Sequence, residues 1–237
     1  MSTQYDVVII GAGISGACIA RELSKTQAKV CMLDKEDDVS CGTSKANSGI
    51  VHAGYDPMPG TLMARLNVRG AALMPELAKK LNFDYNPIGS LVLAFDEDGM
   101  KKVQTLYERG LKNGVKDMAV LNQDELRALE PNINEEAVGA LFAKTAGIIA
   151  PYQATWAIAE SAVINGVEFM RDTMVHAITK NEDGTTEENA EVSTPKKDVK
   201  IKKVTVDTFG EEYGKPETLT PFNYMNWLYS QYGITTN

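Results

Sequence analysis

The alternation of apolar and polar residues near the start of the chain predicts a strand, a turn, a helix and a second strand. Residues 6–10 form a short apolar run rich in β-branched side chains, which is typical of a strand buried on both faces of a parallel sheet. A helical segment with few breakers follows over residues 14–23, and residues 29–33 are a second apolar run that ends at Asp34. The intervening turn, residues 11–16, has the sequence Gly-Ala-Gly-Ile-Ser-Gly. This order predicts a parallel-sheet unit with a glycine-rich turn after its first strand.

Each glycine of this turn has a position that suits a bound dinucleotide. Gly11 allows the tight turn, Gly13 allows the backbone to approach a pyrophosphate, and Gly16 allows the helix to pack closely on the strand. The helix N-terminus would direct N–H groups at the phosphates, and Asp34 would accept a hydrogen bond from the ribose. The alternative is a glycine-rich turn in an unrelated protein, which does not explain why strands, helix and acid are all in register. The pattern therefore predicts a dinucleotide-binding site.

The middle of the chain is predicted to contain helices separated by strands. Leucines at helical spacing predict a helix over residues 61–81, with a kink or a break at Pro75 because proline lacks a backbone donor. Further elements are expected in this order: a strand over 88–95, a helix over 98–110, a short helix over 124–129, strands over 137–143 and 147–150 that pair with each other, a helix from Pro151 to the stop signal Asn165-Gly166, and a strand over 167–170.

The last quarter of the chain has a different composition. Residues 181–198 are polar and charged, which predicts a flexible linker. Imperfect alternation over residues 199–206 predicts an edge strand whose lysines would discourage further pairing. From Thr220 as a cap to Gly233 as a stop signal, apolar and aromatic side chains at helical spacing predict a helix. A helix that covers exposed core and a helix that binds a partner both fit this segment.

Composition excludes some classes of function. The chain has 237 residues, of which 43% are hydrophobic, enough for one large or two modest domains. A net charge of −8 argues against a nucleic-acid-binding surface, which needs clustered lysine and arginine. The three cysteines form no metal-binding pair and are expected to be reduced thiols. No segment reaches the roughly 18 to 20 apolar residues of a membrane span, so a cytoplasmic protein is expected.

A second candidate ligand-binding segment follows the first acid. Residues 40–55 contain many small and hydroxylated side chains and few charges. Small residues allow the backbone to approach a ligand, and serine, threonine and asparagine side chains can bond to phosphate, ribityl or ring oxygens. A polar loop that binds nothing is the alternative.

These segments together resemble the FAD-dependent oxidoreductases of the D-amino-acid-oxidase and glycerol-3-phosphate-dehydrogenase type. Within that family the chain is most similar to L-2-hydroxyglutarate dehydrogenases and to related bacterial glycerol-3-phosphate dehydrogenases. The resemblance covers residues 4–180, and its most specific part is Asn-Ser-Gly-Ile-Val-His-Ala-Gly at residues 47–54. The other segments that carry it are residues 11–16, 34–35, 43–44, 64–70, 89–92 and 145–149.

The resemblance implies an α/β fold in which a Rossmann-like FAD-binding domain carries an inserted antiparallel-sheet substrate domain. The FAD-binding domain is expected over residues 1–84 and 151–180, with residues 167–170 as the third strand of its sheet. Residues 85–150 are the expected portion of the substrate domain, and residues 181–237 are an atypical linker and tail. The family's later flavin-binding and substrate-binding segments have no recognisable counterpart in the sequence, so an incomplete fold is expected.

The resemblance also implies FAD as the cofactor and assigns residues to its site. The expected cofactor-binding residues are Gly11, Gly13, Ile14, Ser15, Gly16, Asp34, Lys35, Thr43, Ser44, Asn47, Ser48, Gly49 and Val175. His52 is the expected catalytic residue, beside the flavin ring, although a histidine that only packs against or hydrogen-bonds the cofactor fits equally well. His176 is expected to be structural, and no metal site is predicted.

The implied function is oxidation of a small 2-hydroxy acid or of glycerol 3-phosphate by hydride transfer to flavin. A truncated, non-catalytic dinucleotide-binding fragment, or a subunit completed by another chain, is one alternative, which the absence of the later segments favours. An NAD-dependent dehydrogenase is another, against which the segment at residues 47–54 argues. The expected partners are a small-molecule substrate and either a partner subunit or an electron acceptor, with no nucleic acid and no membrane span.

Overall fold

A computed structural model describes residues 3–180, 186–192 and 199–201, which all belong to one compact unit. The helices are α1 (Ile14–Leu23), α2 (Leu62–Leu81), α3 (Glu97–Asn113), α4 (Gln123–Leu129) and α5 (Pro151–Ile164). The strands are β1 (Thr3–Tyr5), β2 (Val7–Ile10), β3 (Val30–Leu33), β4 (Ile50–Val51), β5 (Tyr85–Asn86), β6 (Ser90–Ala94), β7 (Met118–Asn122), β8 (Gly139–Ala143), β9 (Gly147–Ile149), β10 (Glu168–Met170), β11 (Thr173–Lys180), β12 (Thr186–Val192) and β13 (Val199–Ile201). The helix predicted after Thr220 lies outside the described residues.

A parallel sheet with the strand order β10-β3-β2 carries the glycine-rich turn. The predicted strand–turn–helix–strand unit is confirmed, and so is the third strand, because Glu168 of β10 lies opposite Cys31 of β3. Helices α1 and α5 cover one face of this sheet, where small side chains such as Ala17 and Ala159 are buried in one core with Ile9. Small residues at the helix contacts allow both helices to lie close to the sheet.

The first strand is less buried than its apolar sequence predicts. Ile9 packs in a core on one face and Val8 against a core on the other, but Ile10 is 52% exposed, so burial on both faces fails only at the last residue of the strand. Ile10 is the last residue of β2, and its side chain lines a cleft together with Gly11. An apolar side chain is therefore exposed at the point where the sequence predicts a ligand.

Two small antiparallel sheets, ordered β4-β9-β5 and β6-β8-β7, follow the first unit. The expected pairing of residues 137–143 with 147–150 is wrong, because β8 pairs with β6 and β7 while β9 pairs with β4 and β5. Both edges of β9 are occupied, because Ile148 lies opposite Ile50 of β4 and opposite Asn86 of β5, so no edge is left for β8. Helix α3 packs on one face of the β6-β8-β7 sheet and α4 on the other.

A fourth sheet has the order β1-β13-β12-β11. The linker expected over residues 181–198 is wrong for residues 186–192, which form β12 and pair antiparallel with β11. The edge strand expected from residue 199 is also misplaced, since β13 lies between β1 and β12. Ladder hydrogen bonds join backbone groups, so polar side chains do not prevent a strand when two neighbours offer free edges.

Helix α2 runs through Pro75 without interruption, so the break considered for that position is wrong. Thr61 caps the helix, because its hydroxyl oxygen accepts a hydrogen bond from the backbone N–H of Ala64 at 3.2 Å. Pro75 lacks a backbone N–H, so the carbonyl group of Ala71 loses its usual donor while the helix continues. No helix in the described ranges combines the length and apolar character that a membrane span requires.

Candidate dinucleotide-binding site

The glycine-rich turn has the geometry that its sequence predicts. Gly11 has a φ of +101°, a conformation that residues with a side chain rarely adopt. A Cβ atom on Gly16 would lie 1.9 Å from the carbonyl oxygen of Gly11, so only glycine allows α1 to begin this close to the turn. A Cβ atom on Gly13 would meet only the hydroxyl of Ser44, at 3.0 Å. Gly16 is therefore required by the fold, whereas the space beside Gly13 is left open to a ligand.

Asp34 lies directly against this turn. One oxygen of its carboxylate, Oδ2, accepts a hydrogen bond from the backbone N–H of Ala12 at 2.6 Å, and the other, Oδ1, accepts from the N–H of Glu36 at 3.0 Å. The residue is half-buried, and each carboxylate oxygen has a second lone pair. Asp34 can therefore hold the turn in place and still accept hydrogen bonds from a ribose.

The loop after β3 reaches back to the start of α1. The side-chain oxygen of Ser44 accepts a hydrogen bond from the backbone N–H of Ile14, the first residue of the helix, at 2.9 Å. A serine hydroxyl that accepts one hydrogen bond can still donate its own proton. This hydroxyl and the positive end of the helix dipole together suit an anionic group.

A cleft of about 510 Å³ lies between the turn, the end of β3, the loop and the start of β11. Seven of the predicted cofactor-binding residues line it: Gly11, Gly13, Asp34, Lys35, Thr43, Ser44 and Val175. The other six, Ile14, Ser15, Gly16, Asn47, Ser48 and Gly49, do not line it, nor does His52. The fold therefore places the glycine-rich turn, Asp34, Thr43 and Ser44 around one cleft.

Sequence reasoning identified only Val175 in the wall of the cleft that β11 supplies. Thr173 and Met174 line the cleft beside Val175, and the backbone N–H of Thr173 donates to the carbonyl oxygen of Asp34 at 2.8 Å. Met174 is 44% exposed, which presents apolar surface next to the acid. The only sequence signal for this wall was the apolar pair at residues 174–175 so soon after the third strand. The other lining residues that were missed are Ile10, Leu33, Glu36, Cys41 and Gly42.

Asn47 and Gly49 shape the loop and do not line the cleft. The side-chain amide nitrogen of Asn47 donates to the carbonyl oxygens of Thr43 and Ser44, and its Oδ1 accepts from the N–H of Gly49. Gly49 has a φ of +68°, and a Cβ atom there would lie 2.3 Å from the carbonyl oxygen of Ile149. Glycine is required at this position because the loop lies against β9.

His52 follows β4 and is exposed. Its backbone carbonyl accepts a hydrogen bond from the side-chain amide of Asn67, on α2, at 2.6 Å. This bond fixes the backbone of the segment that carries the imidazole. The catalytic role of His52 stays a prediction.

The chemistry of the cleft fits the ADP half of FAD. A pyrophosphate needs close backbone approach and N–H donors, which the turn around Gly13 and the start of α1 provide. A ribose needs an acceptor, which Asp34 provides, and an adenine needs apolar contact, which Met174 and Val175 provide. In the part of the chain that the structure describes, no group of three or more histidine, cysteine, aspartate or glutamate side chains could hold a metal ion.

The comparison with known families decides the class of protein. The family described as FAD dependent oxidoreductase (DAO) matches residues 6–208. The chain belongs to this family. The match continues past residue 180, where the resemblance read from motifs ends. It confirms both the α/β fold and FAD as the cofactor of the family.

Individual relatives are enzymes of glycerol 3-phosphate and 2-hydroxy-acid metabolism. A glycerol 3-phosphate dehydrogenase of Caloramator mitchellensis is 48% identical over 181 residues, which are 76% of this chain and 38% of that protein. The mitochondrial L-2-hydroxyglutarate dehydrogenase of Nematostella vectensis is 37% identical over 150 residues, which are 62% of this chain and 32% of that protein. The dithionite-reduced L-α-glycerophosphate oxidase of Mycoplasma pneumoniae, solved with FAD bound, matches with a TM-score of 0.78 and 32% identity over 84% of this chain and 52% of that one. The chain thus spans about half or less of the length of these relatives.

Proposed function

We propose that the cleft binds the ADP half of FAD and that the protein oxidises the secondary alcohol of glycerol 3-phosphate. The observation that carries the proposal is the cleft itself, in which an open glycine, a carboxylate and a serine hydroxyl face one space of about 510 Å³. The family match and the relative that is 48% identical support the cofactor and the substrate, respectively. A 2-hydroxy acid such as L-2-hydroxyglutarate is the second substrate considered, because it also presents a secondary alcohol beside an anionic group.

The flavin, when bound, supplies the hydride acceptor for such an oxidation. The protein must supply a base for the hydroxyl proton, and His52 is the residue we assign to this role. An imidazole suits the role because it exchanges a proton near neutral pH. The hydrogen bond from Asn67 to the backbone of His52 would hold the imidazole-bearing segment in one place.

A second candidate function is dinucleotide binding without catalysis. The observation that favours it is that the residues lining the cleft suit the ADP half of FAD, whereas His52 does not line the cleft. In this case the chain binds FAD but oxidises substrate only when another polypeptide completes the site.

Anaerobic reduction of the full chain reconstituted with FAD separates the two candidates. Glycerol 3-phosphate and L-2-hydroxyglutarate are added in turn, and the absorbance of the flavin band near the visible maximum is followed. Bleaching by glycerol 3-phosphate that is lost in His52→Ala, but retained in the control variant His176→Ala, supports the dehydrogenase. If FAD is bound but neither substrate bleaches its absorbance, the non-catalytic candidate is supported. If only L-2-hydroxyglutarate bleaches it, L-2-hydroxyglutarate replaces glycerol 3-phosphate as the proposed substrate.

A further inference from the structure

We propose that Asn47 is a positioning residue for the FAD pyrophosphate, acting through the hydroxyls of Thr43 and Ser44 without touching the cofactor. The inference rests on the proposed FAD site, and it changes the role that the sequence assigned to Asn47. That role was direct contact with the cofactor.

The side chain of Asn47 closes the loop on itself. Its Nδ2 donates to the carbonyl oxygen of Thr43 at 2.9 Å and to that of Ser44 at 3.2 Å. Its Oδ1 accepts from the backbone N–H of Gly49 at 2.8 Å. The side-chain amide of Asn47 therefore bonds to backbone groups on both sides of residue 47 in the sequence.

These bonds engage the amide nitrogen of Asn47 within the loop. A primary amide has two N–H donors, and this nitrogen bonds to two carbonyl oxygens, those of Thr43 and Ser44. Phosphate oxygens of a dinucleotide are acceptors and need donors for recognition. The Oδ1 atom is an acceptor and cannot hydrogen-bond to a phosphate oxygen, so the residue is better suited to hold the loop than to bind the anion.

The residues that Asn47 holds are the ones that line the cleft. Both Thr43 and Ser44 line it, and the hydroxyl of Ser44 is already placed at the N–H of Ile14. Fixing the two carbonyl groups fixes the backbone from which both hydroxyls project. A preorganised loop loses less conformational entropy when the ligand binds, so it binds more tightly.

The other end of the loop is anchored to the fold. The carbonyl oxygen of Gly49 accepts a hydrogen bond from the N–H of Ile149 at 2.9 Å, which joins the loop to β9. Asn47 bonds directly to the N–H of this anchored glycine. The amide thus connects a point held by the sheet to the two residues that face the cofactor.

A mutant cycle on FAD affinity tests this role. FAD binding is titrated by fluorescence in the wild-type chain, in Asn47→Ala, in Thr43→Ala/Ser44→Ala, and in the triple variant. Asn47→Ala is expected to weaken binding about tenfold, the size of effect that losing one or two hydrogen bonds produces. In the background without the two hydroxyls the same substitution is expected to change the dissociation constant less than about twofold.

Two further variants separate positioning from stability. Asn134→Ala is the matched control, because Asn134 makes the same type of bond, from the N–H of Glu136 to its Oδ1 at 2.8 Å, in the loop before β8. It is expected to leave FAD affinity unchanged. Asn47→Ser keeps an acceptor for the N–H of Gly49 but cannot bridge two carbonyl groups, so it is expected to fold and to bind FAD as weakly as Asn47→Ala.

The outcomes distinguish this inference from the proposed function. The positioning role is overturned if Asn47→Ala weakens FAD binding equally with and without the hydroxyls of Thr43 and Ser44. It is also overturned if Asn47→Ser binds FAD with wild-type affinity. Failure of the wild-type chain to bind FAD overturns the proposed site itself. The first two results appear only in the variants, whereas the third appears before any substitution is made.

Discussion

The carboxylate of Asp34 is hydrogen-bonded to the backbone N–H of Ala12 at 2.6 Å, which joins the end of β3 to the glycine-rich turn. Ala12 is fully buried, and its carbonyl oxygen accepts from the N–H of Ser40 at 3.0 Å. The peptide groups on both sides of Ala12 are therefore held by residues distant in sequence. The acid expected to bind a ribose also shapes the turn that receives the phosphates.

Replacing Asp34 with alanine is predicted to lower the stability of the apoprotein. The N–H of Ala12 would be left buried without an acceptor, which costs about 1 to 3 kcal/mol of unfolding free energy. Asp34→Asn keeps an acceptor for Ala12 and is expected to recover most of this loss. Urea unfolding followed by circular dichroism measures both. Wild-type stability in Asp34→Ala would mean that the residue serves only the ligand.

A second prediction concerns Ser40, which is buried in a left-handed conformation with a φ of +64°. Among the described residues its side-chain oxygen has no hydrogen-bond partner. Ser40→Gly removes both the backbone strain and the unpaired hydroxyl, so it is expected to raise stability by about 1 kcal/mol, net of the greater entropy of unfolded glycine.

The control variant Ser40→Ala separates the two contributions, because alanine removes the hydroxyl and keeps the strain. It is expected to be less stable than Ser40→Gly in the same urea titration. A glycine variant that is less stable than wild type would show that the hydroxyl has a stabilising role.

Two glycines in helices allow a third, paired prediction. A Cβ atom on Gly16 would lie 1.9 Å from a backbone oxygen, whereas a Cβ atom on Gly70 has nothing within 4 Å. Gly16→Ala is therefore expected to prevent folding or to displace α1. Gly70→Ala is expected to be neutral or to stabilise by roughly 0.5 to 1 kcal/mol, because alanine favours a helix. Thermal unfolding compares them, and similar melting temperatures for the two variants would contradict the packing described for Gly16.

The first unit of the fold could be predicted because its signals are local. The apolar runs, the glycine spacing and Asp34 all fall within residues 6–34. Short connections join these elements, so their order in the sequence predicts their arrangement in the fold. The third strand was predictable only through the resemblance, because β10 follows an excursion of more than a hundred residues. The same holds for Val175, which reaches the cleft only because β11 begins beside Asp34.

Strand partners could not be predicted because the pairing of strands is not local. Residues 139–143 and 147–149 have the sequence of strands, but nothing in them specifies β6 and β5 as neighbours. The polar sequence of β12 carries no apolar pattern, since its ladder with β11 joins backbone groups. Asn47 was predicted to bind the cofactor, yet its bonds to the loop follow from the conformation of residues 43–49 and not from its residue type.

Titration of FAD into the wild-type chain, Gly13→Val and Gly70→Val is the most direct test of the proposed pyrophosphate site. A Cβ atom at residue 13 would meet only the side chain of Ser44, at 3.0 Å, but a valine side chain there would occupy the space proposed for the pyrophosphate. We expect Gly13→Val to be folded, as circular dichroism would show, and to bind FAD roughly tenfold or more weakly, whereas Gly70→Val should bind FAD with wild-type affinity. Wild-type FAD affinity in a folded Gly13→Val variant would contradict a pyrophosphate site at Gly13.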